Sequence, residues 1–169
     1  MARFEGKVVL VAGGTGGLGQ AVSLSFLKEG AQVHVTYRSE AELSRLKAAA
    51  GEPAQSITGH RTDVTDDKDT AGLAGSIGKL DVVVNAVGAY AGGSPLWETS
   101  LDTFDRQIAI NVRSGFVLAR NVIPTMLRQG SGAFVNIASQ AAVNHAPGAS
   151  AYVASKAAAL AMKIGRAHV

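Results

Sequence analysis

Cysteine is absent from the 169 residues, which excludes a disulfide scaffold and any thiolate chemistry and fits a reducing compartment. Proline is scarce, at 4 residues, so the chain is neither a proline-rich linker nor a low-complexity coil. Lys and Arg never form a run. The net charge of +3 is spread singly along the chain and describes a solvated surface, not a nucleic-acid footprint. Long hydrophobic runs are missing too: the apolar stretch Val8–Ala12 follows Glu5 and Lys7 and is too short for a signal-peptide core or a membrane span. The four histidines are scattered, without metal-ligand spacing. These absences leave a soluble, cytoplasmic protein as the expectation, with no nucleic acid, membrane or metal among its partners.

What the chain has in quantity is apolar side chain and glycine. Hydrophobic residues make up 47% against 17% charged, enough for a large core, and 169 residues is the size of one domain. Glycine numbers 20, where average usage of about 7% gives roughly 12. With so little proline beside them, the extra glycines raise a question of backbone geometry.

The order of elements is regular. Lys7 to Ala12 is a β-branched apolar run without alternation, the pattern of a strand covered on both faces. The turn Gly13-Gly-Thr-Gly-Gly-Leu-Gly19 follows, then a helix from Gln20 to Glu29 stopped by Gly30, and a strand from Gln32 to Tyr37. The cycle repeats with helix Glu40 to Ala50, strand Gln55 to Arg61, helix Asp66 to Ile77 and strand Leu80 to Asn85. Leu101 to Leu127 reads as one long helix or two joined ones, with Phe104, Ile108, Val112 and Val117 facing inward and Pro124 bending or stopping it. Ala133 to Ala138 is a fifth strand and Ala149 to Met162 an alanine-rich helix. Strands alternating with helices predict an α/β fold, a doubly wound parallel sheet of Rossmann-like type.

Such a sheet carries its site at the carboxyl ends of its strands, and the first βα turn is the usual phosphate cradle. Gly13 to Gly19, with Thr15 and Leu18 between the glycines, fits both Gly14-x-Gly16-x-x-Gly19 and Gly13-x-x-x-Gly17-x-Gly19. Either register lets the backbone approach a pyrophosphate and the helix amides face it. The second strand ends in Tyr37-Arg38-Ser39, where a protein selective for NAD would carry a carboxylate. Arg38 offers a planar cation for a 2′-phosphate with the Ser39 hydroxyl beside it, which favours NADP(H) over NAD(H). Glu40 is the competing candidate for a ribose if the strand ends later.

Tyr152-x-x-x-Lys156 places a phenol and an ammonium one turn apart on a helix face, and Ser139 lies just past the fifth strand. A free phenol titrates near 10, so exchange near neutrality needs a neighbouring cation, which Lys156 can supply; Ser139 can hold a substrate oxygen.

From about Lys7 to Met162 the sequence resembles the short-chain dehydrogenases/reductases. The residues carrying the resemblance are Gly13, Gly17 and Gly19, Asp63-Val64 after the third strand, Asn85-Ala-Val-Gly88 after the fourth, Asn111, Ser139, and Tyr152 with Lys156. The resemblance implies Tyr152 as general acid/base, Lys156 holding the nicotinamide ribose, Ser139 polarising a carbonyl and Asn111 supporting a proton relay. Asp63 would meet the adenine, beside Val64, and Asn85, Ala86 and Gly88 would line the cofactor channel. It also implies dimers or tetramers packed through the long helix and the Tyr-bearing helix. Two positions depart from the family pattern: Ala12 stands where Thr is usual, and Asn85-Ala-Val-Gly where Asn-Asn-Ala-Gly is commoner. Tyr90, Ser94 and Trp97, in the loop after the fourth strand, are candidates to touch substrate, but the expectation is that they cap a core.

The family continues with a sixth strand, a substrate-binding segment and a seventh strand. Here Ile164-Gly-Arg-Ala-His-Val169 follows instead, which is also what one reading frame of a common sequencing adapter encodes. The expectation is an oxidoreductase domain over 1–163, truncated, and a non-native tail over 164–169. The leading reading is hydride transfer between NADP(H) and a small-molecule carbonyl or secondary alcohol. A non-catalytic nucleotide-binding protein and an inactive fragment of the enzyme are the alternatives.

Overall fold

The computed structural model describes residues 2–145 and 147–162; the expected tail at 164–169 lies outside them. The elements run β1 (Val8–Ala12), α1 (Gly17–Lys28), β2 (Gln32–Tyr37), α2 (Glu40–Ala50), β3 (Ile57–Arg61), α3 (Asp67–Ile77) and β4 (Val82–Asn85). Then come α4 (Leu101–Ile108), a π turn (Ala109–Arg113), α5 (Ser114–Gln129), β5 (Ala133–Asn136), α6 (Ala141–Asn144) and α7 (Ser150–Ala161). The five strands form one parallel sheet in the order β3-β2-β1-β4-β5.

The chain leaves β1 for β2 on one side and later returns to β4 on the other. That reversal opens a crevice at the carboxyl ends of β1 and β4, the place where such sheets bind ligands. The apolar strand runs explain why β1 is central: its side chains feed two cores. Val9 and Val11 pack with Val33, Val35 and Ile57 beneath Leu27 of α1 and Leu43 and Leu46 of α2. Leu10 and Ala12 pack with Val83 beneath Leu73 of α3 and Leu118, Val122 and Met126 of α5. Asp66 caps α3, accepting from the amides of Lys68 and Asp69, and Ser100 caps α4 through the amide of Thr103.

Three expectations are corrected. The segment from Leu101 takes the second of its two expected forms, α4 and α5 joined by the π turn, but its inward face differs: the polar Gln107 and Asn111 take the buried stripe expected for Phe104 and Ile108. Phe104 is 42% exposed. Of the two effects expected of Pro124, a bend or a stop, the stop is ruled out, because α5 runs on to Gln129; Arg120, whose carbonyl loses its amide partner, lies on the exposed side. Finally, Gln55 and Ser56 close a 3₁₀ turn (Glu52–Ser56) before β3.

Candidate cofactor and active site

The glycine turn is built by close contacts. Gly13 adopts φ +72° and its amide donates to Thr36 Oγ1 at 2.8 Å, fastening the end of β1 to β2. A Cβ on Gly14 would lie 2.5 Å from Val35 Cγ1, and one on Gly19 would lie 2.0 Å from the Gly13 carbonyl oxygen. Those two glycines let α1 lie against the sheet, helped by Ser23, whose hydroxyl donates to the Gly14 carbonyl at 3.2 Å. Gly17 has nothing within 4 Å of its missing side chain. Unlike α3 and α4, α1 begins with no side-chain cap and no acidic residue in its first turn, so its first amides suit an anion. The turn therefore fits a pyrophosphate.

Two cavities flank it, sharing Gly16, Ala86, Val87 and Gly88. The first, of about 290 Å³, lies between the turn and the end of β2, lined by Gly13, Thr15, Thr36, Arg38, Glu42, Asp63 and Val64 among others. Thr15 Oγ1 donates to Glu42 Oε2 at 3.3 Å across this end. Asp63 accepts from both the amide and the hydroxyl of Thr65, and these bonds hold its carboxyl below the usual carboxylate range, with Arg38 and Arg113 adding to the effect. Glu40 takes no part, for its carboxylate accepts from the Tyr37 hydroxyl.

The second cavity, of about 390 Å³, runs from Gly17, Leu18 and Gly19 past Ala86 and Gly88 to Tyr90, Ala138, Tyr152 and Lys156. Lys156 is only 5% exposed; its ammonium donates to the Ile137 carbonyl at 3.0 Å, and burial lowers its pKa. Space for it comes from Gly88, where a Cβ would stand 3.1 Å from Lys156 Nζ and 3.0 Å from Asn111 Oδ1.

Asn111 sits in the π turn, buried, behind the cavity. Its Oδ1 accepts from the Ala89 amide at 3.0 Å, while Nδ2 lies within 3.0 Å of the Ala89 carbonyl, Gln107 Oε1 and Ser155 Oγ. The Ser155 hydroxyl in turn donates to the Tyr152 carbonyl at 2.7 Å. One amide thus ties the loop after β4 to the helix that carries Tyr152 and Lys156. Tyr90 meets Tyr152 edge to face, centroids 4.9 Å apart. At 70% and 81% exposure Tyr90 and Trp97 cap no core among the described residues, and Ser94 lines a third cavity with Glu98 and Ser100.

Of the residues singled out from sequence, the structure gathers Gly13, Thr15, Arg38, Asp63 and Val64 around one cavity and Gly17, Leu18, Gly19, Tyr152 and Lys156 around the other, with Ala86 and Gly88 in both. Others stand apart. Ser39 occupies the N-cap position of α2, exposed. Asn85 lies beneath the crevice, donating to Asn136 Oδ1 at 2.8 Å, and Asn136 passes the connection on to the Ala159 carbonyl of α7. Ser139 follows the cavity residue Ala138, half-buried, its Oγ accepting from the Ala141 amide at 3.2 Å. The sequence reading missed Thr36, Glu42 and Ser155. Nothing in the spacing marks Ser155, directly before Lys156, and Glu42 was hidden by Glu40, two residues earlier.

The short chain dehydrogenase family profile matches residues 7–167. The chain is 35% identical over 158 residues to 2-dehydro-3-deoxy-L-rhamnonate dehydrogenase (NAD(+)) of Sphingomonas sp. (strain SKA58), covering 92% of this chain and 62% of that protein. Among solved structures it is similar to ElxO with NADP bound, with a TM-score of 0.86 and 29% identity over 90% of this chain and 63% of that one. NAD+-bound xylitol dehydrogenase superposes with a TM-score of 0.89 and 31% identity, over 94% and 63% of the two chains. The chain thus spans less than two thirds of the length of these relatives. With the parallel sheet, the glycine turn at its switch point and the paired Tyr152 and Lys156 in view, this protein belongs to the short-chain dehydrogenase family.

Proposed function

We propose that the protein is an oxidoreductase moving hydride between NADP(H) and a carbonyl or secondary alcohol of a small molecule. The observation that carries this reading is one continuous set of neighbours: Tyr152 and Lys156 line the same cavity as the open start of α1. The nicotinamide would supply the hydride. The α1 amides and Gly13 to Gly19 would hold the pyrophosphate, Asp63 and Val64 the adenine, and Lys156 the nicotinamide ribose. In the reductive direction Tyr152 gives its phenolic proton to the carbonyl oxygen while Ser139 donates a hydrogen bond to the same oxygen. Asn111 keeps Ala89 and α7 in register and supports the proton's return to Tyr152.

The cofactor assignment rests on Arg38, which lines the first cavity directly after β2 and suits a 2′-phosphate. The similar structures carry NADP in one case and NAD+ in the other, so charge at this end is the argument that favours NADP(H). We assign the protein to the cytoplasm, in keeping with its lack of cysteine; among the described residues no helix is long and apolar enough to cross a membrane. Homo-oligomers through α4–α5 and α7 are part of the proposal, supported by the exposed Phe116 and Leu160 on those helices.

The test is Tyr152→Phe, assayed for NADPH oxidation against a panel of small carbonyl compounds and for NADPH binding by fluorescence. Turnover collapses and binding persists if the phenol transfers the proton. Undiminished turnover in the variant refutes the assignment; binding without turnover in a full-length version favours the nucleotide-binding alternative, and the same result confined to the 169-residue chain favours the inactive fragment.

A further inference from the structure

Two opposite charges meet at the adenosine end of the crevice. Arg38 follows β2, Glu42 stands in the first turn of α2, and both line the 290 Å³ cavity. They form no ion pair with each other, and neither pairs with another charge among the described residues. The remaining carboxylates nearby are engaged: Glu40 by the Tyr37 hydroxyl, Asp63 by Thr65. Glu42 instead accepts from Thr15, so an anionic oxygen is held between the glycine turn and α2 at the end where Arg38 lies.

We infer that Glu42 is a cofactor-selecting residue that works against Arg38. The inference rests on reading this cavity as the adenosine end of a dinucleotide site. A ribose with free hydroxyls can donate to the Glu42 carboxylate. A 2′-phosphate carries about −1.5 to −2 charge at neutral pH and offers only acceptors toward it, so the same carboxylate repels it. Arg38 attracts that phosphate. The two side chains together give a site that accepts both cofactors, with a narrower preference for the phosphorylated one than Arg38 would set alone.

The experiment needs no turnover. Adenosine 2′,5′-bisphosphate and 5′-AMP are titrated calorimetrically into the unchanged chain, Glu42→Gln and Glu40→Gln. Gln at position 42 still accepts from Thr15, so the fold keeps its bond and loses only the charge. The affinity ratio of bisphosphate to AMP rises about tenfold in Glu42→Gln, the equivalent of one repulsive contact of about 1.4 kcal/mol. In Glu40→Gln, whose carboxylate faces Tyr37, it stays within about twofold on that same scale. An unmoved ratio in Glu42→Gln, or an equal rise in both variants, overturns the inference. Failure of the unchanged chain to bind either nucleotide removes the dinucleotide reading itself, and the selector with it.

Discussion

Nδ1 of His34 lies 2.8 Å from Nε2 of His60, the two rings stacked across β2 and β3 with centroids 5.1 Å apart. One nitrogen must donate and the other accept, so the contact requires at least one neutral ring. Burial lowers both pKa values below 6.5, and the neighbouring His60 charge lowers that of His34 further.

The unfolded chain therefore binds more protons than the fold once pH drops below the ordinary histidine value. Stability contributed by the pair is complete above about 6.5 and drains away as pH falls through the depressed folded values. Urea midpoints measured between pH 8 and 5 should decline over the acidic part of that range. In His60→Gln the decline should be shallower; an identical slope would assign the acid sensitivity to other groups.

Two glycines of the same turn should respond in opposite ways to alanine. At Gly19 the new methyl meets the Gly13 carbonyl, and the fold should lose about 1–3 kcal/mol as an overpacked site does. At Gly17, with open space and a helical position, stability should hold or rise by up to about 1 kcal/mol. Since Gly17 lines the cavity, NADPH affinity should nevertheless fall in Gly17→Ala. Chemical denaturation and fluorescence titration separate the two effects.

Replacing Asn111 by Leu leaves both polar groups of Ala89 without that partner. The expected cost is about 1–3 kcal/mol. Hydrogen exchange should localise the damage, with the Ala89 amide losing protection while the β1 and β2 amides keep theirs until global unfolding. Unchanged protection at Ala89 would mean that the loop is held by other contacts.

Lys156 carries its charge in a buried position, so the fold bears a desolvation cost that the cavity uses. Lys156→Met keeps the stem and removes the charge. Its Tm near neutral pH should rise by about 2–4 °C, the equivalent of about 1 kcal/mol, while NADPH binding weakens. Because the folded pKa is lowered, the unchanged protein should gain stability as pH rises through that value toward 10.5, and the variant should lack this gain. A fall in Tm would show that the ammonium's bond to the Ile137 carbonyl outweighs its burial.

The sheet was legible because buried parallel strands leave β-branched runs bounded by turns. β2 and α2 match their expected limits residue for residue. α1 begins at Gly17, not Gln20, since the glycines that depress helix propensity are the ones packing requires there. Tyr152, Lys156 and the glycine set were legible from spacing within one element. Glu42 and Ser155 were not, because their meaning depends on partners in other elements, Thr15 and Asn111. The inward side of the segment from Leu101 was misjudged for a related reason: Gln107 and Asn111 are buried because they bond each other and the Ala89 backbone, and apolar periodicity does not register a polar stripe.

The π turn over Ala109–Arg113 makes residue count itself part of how the crevice is built. A π turn accommodates one extra residue within a helix, and each residue advances an α-helix by about 100°. Removing one residue between Ala109 and Arg113 would let the helix rewind as α and keep Gln107 and the Leu118, Val122 and Met126 stripe in phase, yet it would turn Asn111, inside the rewound turn, away from Ala89. The chain thus carries one residue more than a continuous α-helix would need there, and the extra residue gives Asn111 its place between Ala89 and Ser155 without moving the stripe that packs on the sheet.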